Sequence, residues 1–138
     1  MITNEDPEGK ETFKEWLIKR DFKDVNIVAD ELCHYDIISQ KNGVKYVFEL
    51  KKRPIRSDVW NDNIIQQDKY EYLLPMDKDN QKVYIVNLFT DCMYINPLQY
   101  DHEEQHKYCQ KTNNWDRTRV LKTLISYKHI NKHRYEYD

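Results

Sequence analysis

The sequence predicts an α/β fold in which a mixed β-sheet is flanked by helices, in the order α-β-β-β-α-β. Three observations carry this reading. Apolar residues recur near helical spacing close to the start, an Asn-Gly pair separates two short alternating runs, and the stretch Val83 to Leu88 is apolar almost throughout.

Residues 9 to 23 (GKETFKEWLIKRDFK) place Phe13, Trp16, Leu17 and Phe22 on one side of an expected amphipathic helix. Residues 25 to 29 (VNIVA) predict a short strand. A hairpin over residues 35 to 52 follows, and Arg53-Pro54 ends its second strand, because proline cannot donate to a ladder. From a cap at Ser57 or Asp58, a helix is expected to run to about Leu74 on Trp60, Ile64, Ile65, Leu73 and Leu74, with Pro75 stopping it. Residues 82 to 89 (KVYIVNLF) predict a strand buried on both faces, and residues 92 to 95 (CMYI) pair with it across a turn. The polar segment 100 to 114 reads as a surface helix. The segment from Arg119, with Val120, Leu121, Leu124 and Ile125, fits strand and helix equally. No repeat, low-complexity tract or linker divides the 138 residues, so one domain is expected, with a core over about 9–95 and an unassigned extension over 96–138.

A chain with 13% aromatic residues and 39% apolar residues is a folded domain rather than a disordered one. The net charge of −2 exerts no strong pull on nucleic acid or membrane, but basic residues are concentrated in two segments. One holds Lys41, Lys45, Lys51, Lys52, Arg53 and Arg56; the other holds Arg117, Arg119, Lys122, Lys128, Lys132 and Arg134. A charge run taken alone is a solvated face; two that meet in space form a phosphate-binding surface. Cys33, Cys92 and Cys109 are odd in number and lack CxxC spacing, which fits a reduced, cytoplasmic setting, including a cell infected by a phage. No signal peptide or membrane-spanning run is read, so no membrane partner is expected.

The hairpin carries the chemistry. With Asn42-Gly43 as a two-residue turn, paired positions sum to 85, and Asp36 faces Glu49. Lys51 lies two residues further on and shares that face, with His34 as its cross-strand partner, while Ile37, Tyr46, Phe48 and Leu50 form a core face on the other side. Two opposed carboxylates repel unless a cation or proton lies between them. Oxygen-only ligation suits Mg²⁺ or Mn²⁺, and a neighbouring lysine can orient a water or stabilise charge on a phosphate. The same pattern would also serve an edge hairpin whose charges pair across strands.

Asp36, twelve intervening residues and then Glu49-Leu50-Lys51 resemble the motif of the PD-(D/E)xK nuclease superfamily, whose core is a helix, a hairpin, a second helix and a further strand. Tyr35 stands where that family often has proline. The sequence GKETFKEW is similar to the first helix of Holliday-junction-resolvase-like members, with Glu11 toward the metal and Glu15 one turn on. QQDKY resembles the Gln-xxx-Tyr of exonuclease-like members through Gln66 and Tyr70, with Gln67 and Lys69 in the same turn. The resemblance covers roughly residues 9 to 95.

It implies a restriction-endonuclease-like fold and Mg²⁺-dependent (or Mn²⁺-dependent) hydrolysis of phosphodiester bonds in DNA, or in RNA. It implies Asp36, Glu49, the Leu50 carbonyl and Glu11 as metal ligands. Lys51 would act on water, and Gln66 and Tyr70 would orient Lys51 or a phosphate. Lys52, Arg53, Arg56, Lys69, Arg117 and Arg119 would grip the nucleic-acid backbone, which positions without specifying sequence. Cleaving both strands takes two sites, which a homodimer supplies.

Two other readings remain at this point. A nuclease-like fold can serve as a non-catalytic binding or accessory module in a phage or defence setting. His102-Glu103-Glu104-Gln105-His106 matches H-E-x-x-H, and on a helix His102, His106 and Cys109 share a face that suits zinc. The neighbours of that motif are nearly all polar, as an ordinary solvated helix requires. Trp60 and Trp115 lie near basic residues and could stack on bases, although packing explains them as well.

Overall fold

Glu8 and Gly9 both take positive φ (61° and 74°), so the 3-10 turn Pro7–Gly9 bends directly into the first helix, α1 (Lys10–Lys19). Phe13, Trp16 and Leu17 recur every three or four residues, and all three are buried. The helix stops at Asp21, which is left-handed (φ 67°), and the Phe22 N–H closes onto the Leu17 carbonyl at 3.2 Å. This computed structural model describes residues 7–30, 33–59, 62–99, 105–113 and 119–138, with 105–113 and 119–124 described as strand and register only.

Among the described residues nine strands follow: β1 (Lys23–Ile27), β2 (Ile37–Lys41), β3 (Val44–Lys52), β4 (Asp62–Gln66), β5 (Gln81–Leu88), β6 (Met93–Pro97), β7 (Gln105–Asn113), β8 (Arg119–Lys128) and β9 (Arg134–Tyr135). A short helix, α2 (Gln67–Leu73), lies between β4 and β5. Six strands form a mixed sheet in the order β1-β2-β3-β5-β6-β9, in which only β3 and β5 run parallel. The other three form a second sheet, β4-β8-β7, wholly antiparallel. The protein is therefore α/β with a mixed sheet and two helices.

Asn42 and Gly43 take φ of 52° and 78°, as a type I′ turn requires, and the pairs from Ile37–Phe48 to Lys41–Val44 keep the expected register. A Cβ built on Gly43 would meet nothing within 4 Å, so substitution there costs backbone strain and nothing else. Gly43→Ala is expected to cost about 1–2 kcal/mol. In urea the unfolding midpoint should fall with the slope unchanged; a midpoint equal to wild type would show that the turn tolerates a side chain.

The two faces of the large sheet bury different sets. Phe48 and Leu50 of β3 meet Phe13, Trp16 and Leu17 of α1, together with Val86 and Leu88 of β5. On the other face Val47, Val83 and Ile85 meet Leu73 of α2, Ile65 of β4, and Ile125 and Tyr127 of β8. As the apolar run predicts, β5 is buried on both sides. Leu98, Ile125 and Tyr127 belong to the second cluster, and β9 pairs with β6, so part of the segment beyond residue 95 completes the core. Trp16 Nε1 donates to the Glu136 carbonyl at 2.9 Å, and Tyr137 Oη donates to the Phe89 carbonyl.

Two elements differ from expectation, and a third, open between strand and helix in the sequence, is a strand. The helix expected over 58–74 is a 3-10 turn (Ser57–Val59), the strand β4 and only seven residues of α2. Burial in β4 alternates, with Asn63 and Ile65 inward, because it pairs with β8 some sixty residues later. Buried Asn63 is satisfied by Asn96 (3.0 Å) and by His129 (3.0 Å). The polar segment expected as a helix contains β7, paired with β8 over nine positions, and the ambiguous segment from Arg119 is β8. The element order is thus α-β-β-β-β-α-β-β-β-β-β.

Candidate functional site

Ile37 and Phe48 face the core around α1, so their neighbours Asp36 and Glu49 are turned away from it by strand alternation. Asp36 sits one residue before β2 and leaves the regular register. Its N–H donates to the Phe48 carbonyl at 2.8 Å, and its Oδ2 accepts the Leu50 N–H at 2.8 Å. It thus clasps β3 on both sides of Glu49.

Glu49 is only 8% exposed. Burial, then the Asp36 charge and a hydrogen bond between the two carboxyls, push its pKa up to about 7 against the opposing pull of Lys69. Two carboxylates side by side repel, so the site favours a cation, or a proton on Glu49. Lys69 Nζ of α2 donates to Glu49 Oε1 at 3.0 Å, and Lys10 Nζ at the start of α1 lies 3.5 Å from Asp36 Oδ1 and 3.3 Å from Glu8 Oε2. Burial pulls the Lys10 ammonium down, but its hydrogen bond to Glu8 and the Asp36 charge outweigh that, and its pKa is raised.

These groups line an open cavity of about 600 Å³ together with Leu50, exposed Lys51 and half-buried Lys52. The residues singled out from the hairpin therefore come together: Asp36, Glu49, Leu50, Lys51 and Lys52 share one wall. Lys69 joins them from α2. The others fall elsewhere. Glu11 is exposed on α1 and does not line the cavity; Glu8 and Lys10 occupy that edge instead. Gln66 is the last residue of β4, extended (φ −67°, ψ 143°) and exposed, so Gln66 and Tyr70 do not share a helix face; Tyr70 packs into the second core cluster. Glu15 is exposed on α1.

Arg53 Nε donates to Asn87 Oδ1 at 3.0 Å, and burial lowers the Arg53 pKa. Arg56 pairs with Asp58 at 3.4 Å and lies 4.0 Å from Asp91. Arg119 opens β8 opposite Asn113, while Arg117, Trp60 and Trp115 lie outside the described residues.

The zinc reading loses its scaffold. His106 and Cys109 belong to β7, where the i, i+4, i+7 facing of a helix does not exist, and His102 lies outside the described residues. The segment is a strand because β8 supplies it with a nine-pair ladder. Among the described residues no group of three or more His, Cys, Asp or Glu side chains is placed to hold a metal ion, so any ion at Asp36 and Glu49 would rest on two carboxylates, backbone and water. That donor set fits Mg²⁺, which keeps several waters and takes one or two carboxylates plus substrate phosphate.

Sequence reasoning missed Lys10. A cation at a helix N-terminus is unfavourable on its own, since the dipole there is positive. The breach of a local rule beside Glu8-Gly9 is the signal that could have found it.

Comparison with protein-family models, with curated proteins and with solved structures gives no match. No helix among the described residues is long and apolar enough to cross a membrane.

Proposed function

We propose that this protein is a Mg²⁺-dependent nuclease of the PD-(D/E)xK superfamily, with a restriction-endonuclease-like core, that hydrolyses phosphodiester bonds in DNA without strong sequence specificity. One observation carries the proposal. Asp36 and buried Glu49 lie side by side in an open cavity that Lys51, two residues along the same strand, also lines. Asp36, Glu49 and the Leu50 backbone carbonyl would hold the ion. When bound, Mg²⁺ would supply polarisation of the phosphate and a more acidic water.

The chain's own groups supply the rest. Lys51 orients the attacking water or takes its proton, and Lys52, Lys69 and Lys10 offset the charge of the entering phosphate. The four lysines of the lining stand among four carboxyls, and their contacts to a phosphate would read no sequence.

The ion pairs Lys10–Asp36 and Lys69–Glu49 also favour a second reading, a nuclease-like fold used for binding alone, because each carboxylate already has an ammonium partner. Plasmid, linear and single-stranded DNA incubated with Mg²⁺, Mn²⁺ or EDTA distinguish the two. Metal-dependent cleavage that falls about 10²–10⁴-fold in Lys51→Ala, and is absent in Asp36→Ala, supports the nuclease. DNA binding with no cleavage in any metal supports the binding module.

A further inference from the structure

A pair of aromatic rings is carried by the segments that border the cavity, although neither ring lines it. His34 lies between Cys33 and Tyr35, both of which line the cavity, and two residues before Asp36. Its ring meets that of Tyr72 with centroids 4.3 Å apart and planes tilted by 51°. Tyr72 is carried by α2, three residues after Lys69, and residues at that spacing are neighbours on a helix surface. The two segments that supply Asp36 and the Glu49-bound lysine therefore also supply this ring pair.

Tyr72 is 48% exposed, while Leu73, the next residue, is fully buried. Leu73 packs into the core and Tyr72 stands open to solvent against His34. A ring held at a tilt by a neighbour, half open to solvent and one helical turn from an ammonium group, can serve as a stacking platform for a base: the lysines take the phosphates and the ring takes the base next to them.

We propose that Tyr72, steadied by His34, stacks on an unpaired nucleobase of the DNA strand that enters the cavity, so that single strands, frayed ends and flaps are bound in preference to blunt duplex. A base inside an intact duplex is already stacked on both faces and has none to offer. This inference rests on the reading of the cavity as a DNA site, and its test is a binding measurement that needs no cleavage.

Fluorescence anisotropy in EDTA is measured with a labelled oligo-dT, with the same oligonucleotide carrying abasic positions, and with a blunt duplex of equal length. Wild type is expected to prefer oligo-dT to both. Tyr72→Ala should weaken oligo-dT binding roughly 5- to 150-fold while leaving the abasic strand nearly unchanged, and Tyr72→Phe should restore it. Thermal melting of the half-exposed variants checks that each is folded. Equal affinity of wild type for the abasic and base-bearing strands, or oligo-dT affinity unchanged in Tyr72→Ala, overturns the platform. Tyr72-dependent binding with no nuclease activity leaves the platform standing and removes the catalytic reading alone.

Discussion

If the protein is the nuclease proposed above, Glu49→Gln is expected to reduce its Mg²⁺-dependent DNA cleavage about 10³-fold or more; in any case it is expected to stabilise the metal-free protein at pH 8. The first effect follows from removing one of two charged ligands, since several kcal/mol of charge stabilisation correspond to that factor in rate. The second follows from the position of Glu49. Its pKa is about 7 in the folded protein against an ordinary 4.5, so the native state binds this proton more tightly than the unfolded chain does.

The stability contributed by the protonated form is fully present below pH 4.5. It is lost as pH rises from there to 7, by about 3 kcal/mol in all, and changes no further above that. Glutamine resembles the protonated acid: its amide can donate to Asp36 and its oxygen can accept from Lys69. The variant should therefore lack this downward slope in metal-free buffer and melt several degrees above wild type at pH 8, with little difference at pH 4.5. Melting curves in EDTA across that range decide it. Parallel pH profiles for the two proteins would show that Glu49 is not held in an acid-stabilising pocket. On the proposed reading Mg²⁺ should compress the difference, because an ion held by the deprotonated pair would replace the proton.

Phe48→Ala carries the largest expected cost in stability, about 3–5 kcal/mol. Phe48 is 2% exposed and sits at the centre of an aromatic cluster. Its ring centroid is 5.0 Å from Phe13, edge-on, 5.8 Å from Tyr84, stacked, and 6.3 Å from Phe22. Truncation leaves four rings, Tyr46 among them (6.2 Å), facing a void they cannot close without moving α1 off the sheet. Phe48 is also flanked by Val47 and Glu49 on the opposite face, so slack at this position loosens the strand that presents the acid. Urea unfolding measures the loss; a cost under about 1 kcal/mol would mean that the cluster collapses into the gap.

The hairpin was legible because its information is local. Asn42-Gly43 admits few turns, a turn fixes a register, and the register sorts Ile37 and Phe48 from Asp36 and Glu49. The buried run of β5 and the amphipathic α1 are legible for the same reason. What escaped depends on partners distant in the chain. Asp62–Gln66 is a strand because β8 lies beside it, while Ile64, Ile65, Leu73 and Leu74 satisfy a helical spacing equally well in isolation. Gln105–Asn113 is polar enough for a surface helix and becomes a strand through nine pairs with β8. In the site, Asp36, Glu49 and Lys51 could be found from the turn alone. Lys10 and Lys69 reach the carboxylates through the packing of two helices on opposite faces of the sheet, which no periodicity encodes.

The dependence of α2 on β8 has a consequence for how the protein comes into being. Leu73 of α2 packs with Ile125 and Tyr127, and Tyr127 Oη donates to the Leu98 carbonyl at 2.7 Å. A ribosome delivers the chain from its first residue onward, so the hairpin with Asp36 and Glu49 emerges long before the strand that backs α2. Until residues 119–128 have left the exit tunnel, the helix bearing Lys69 and Tyr72 has no complete surface to settle on. A nascent chain thus exposes its acid pair without the lysine that completes the cavity, and the site comes together only after β8 has been made.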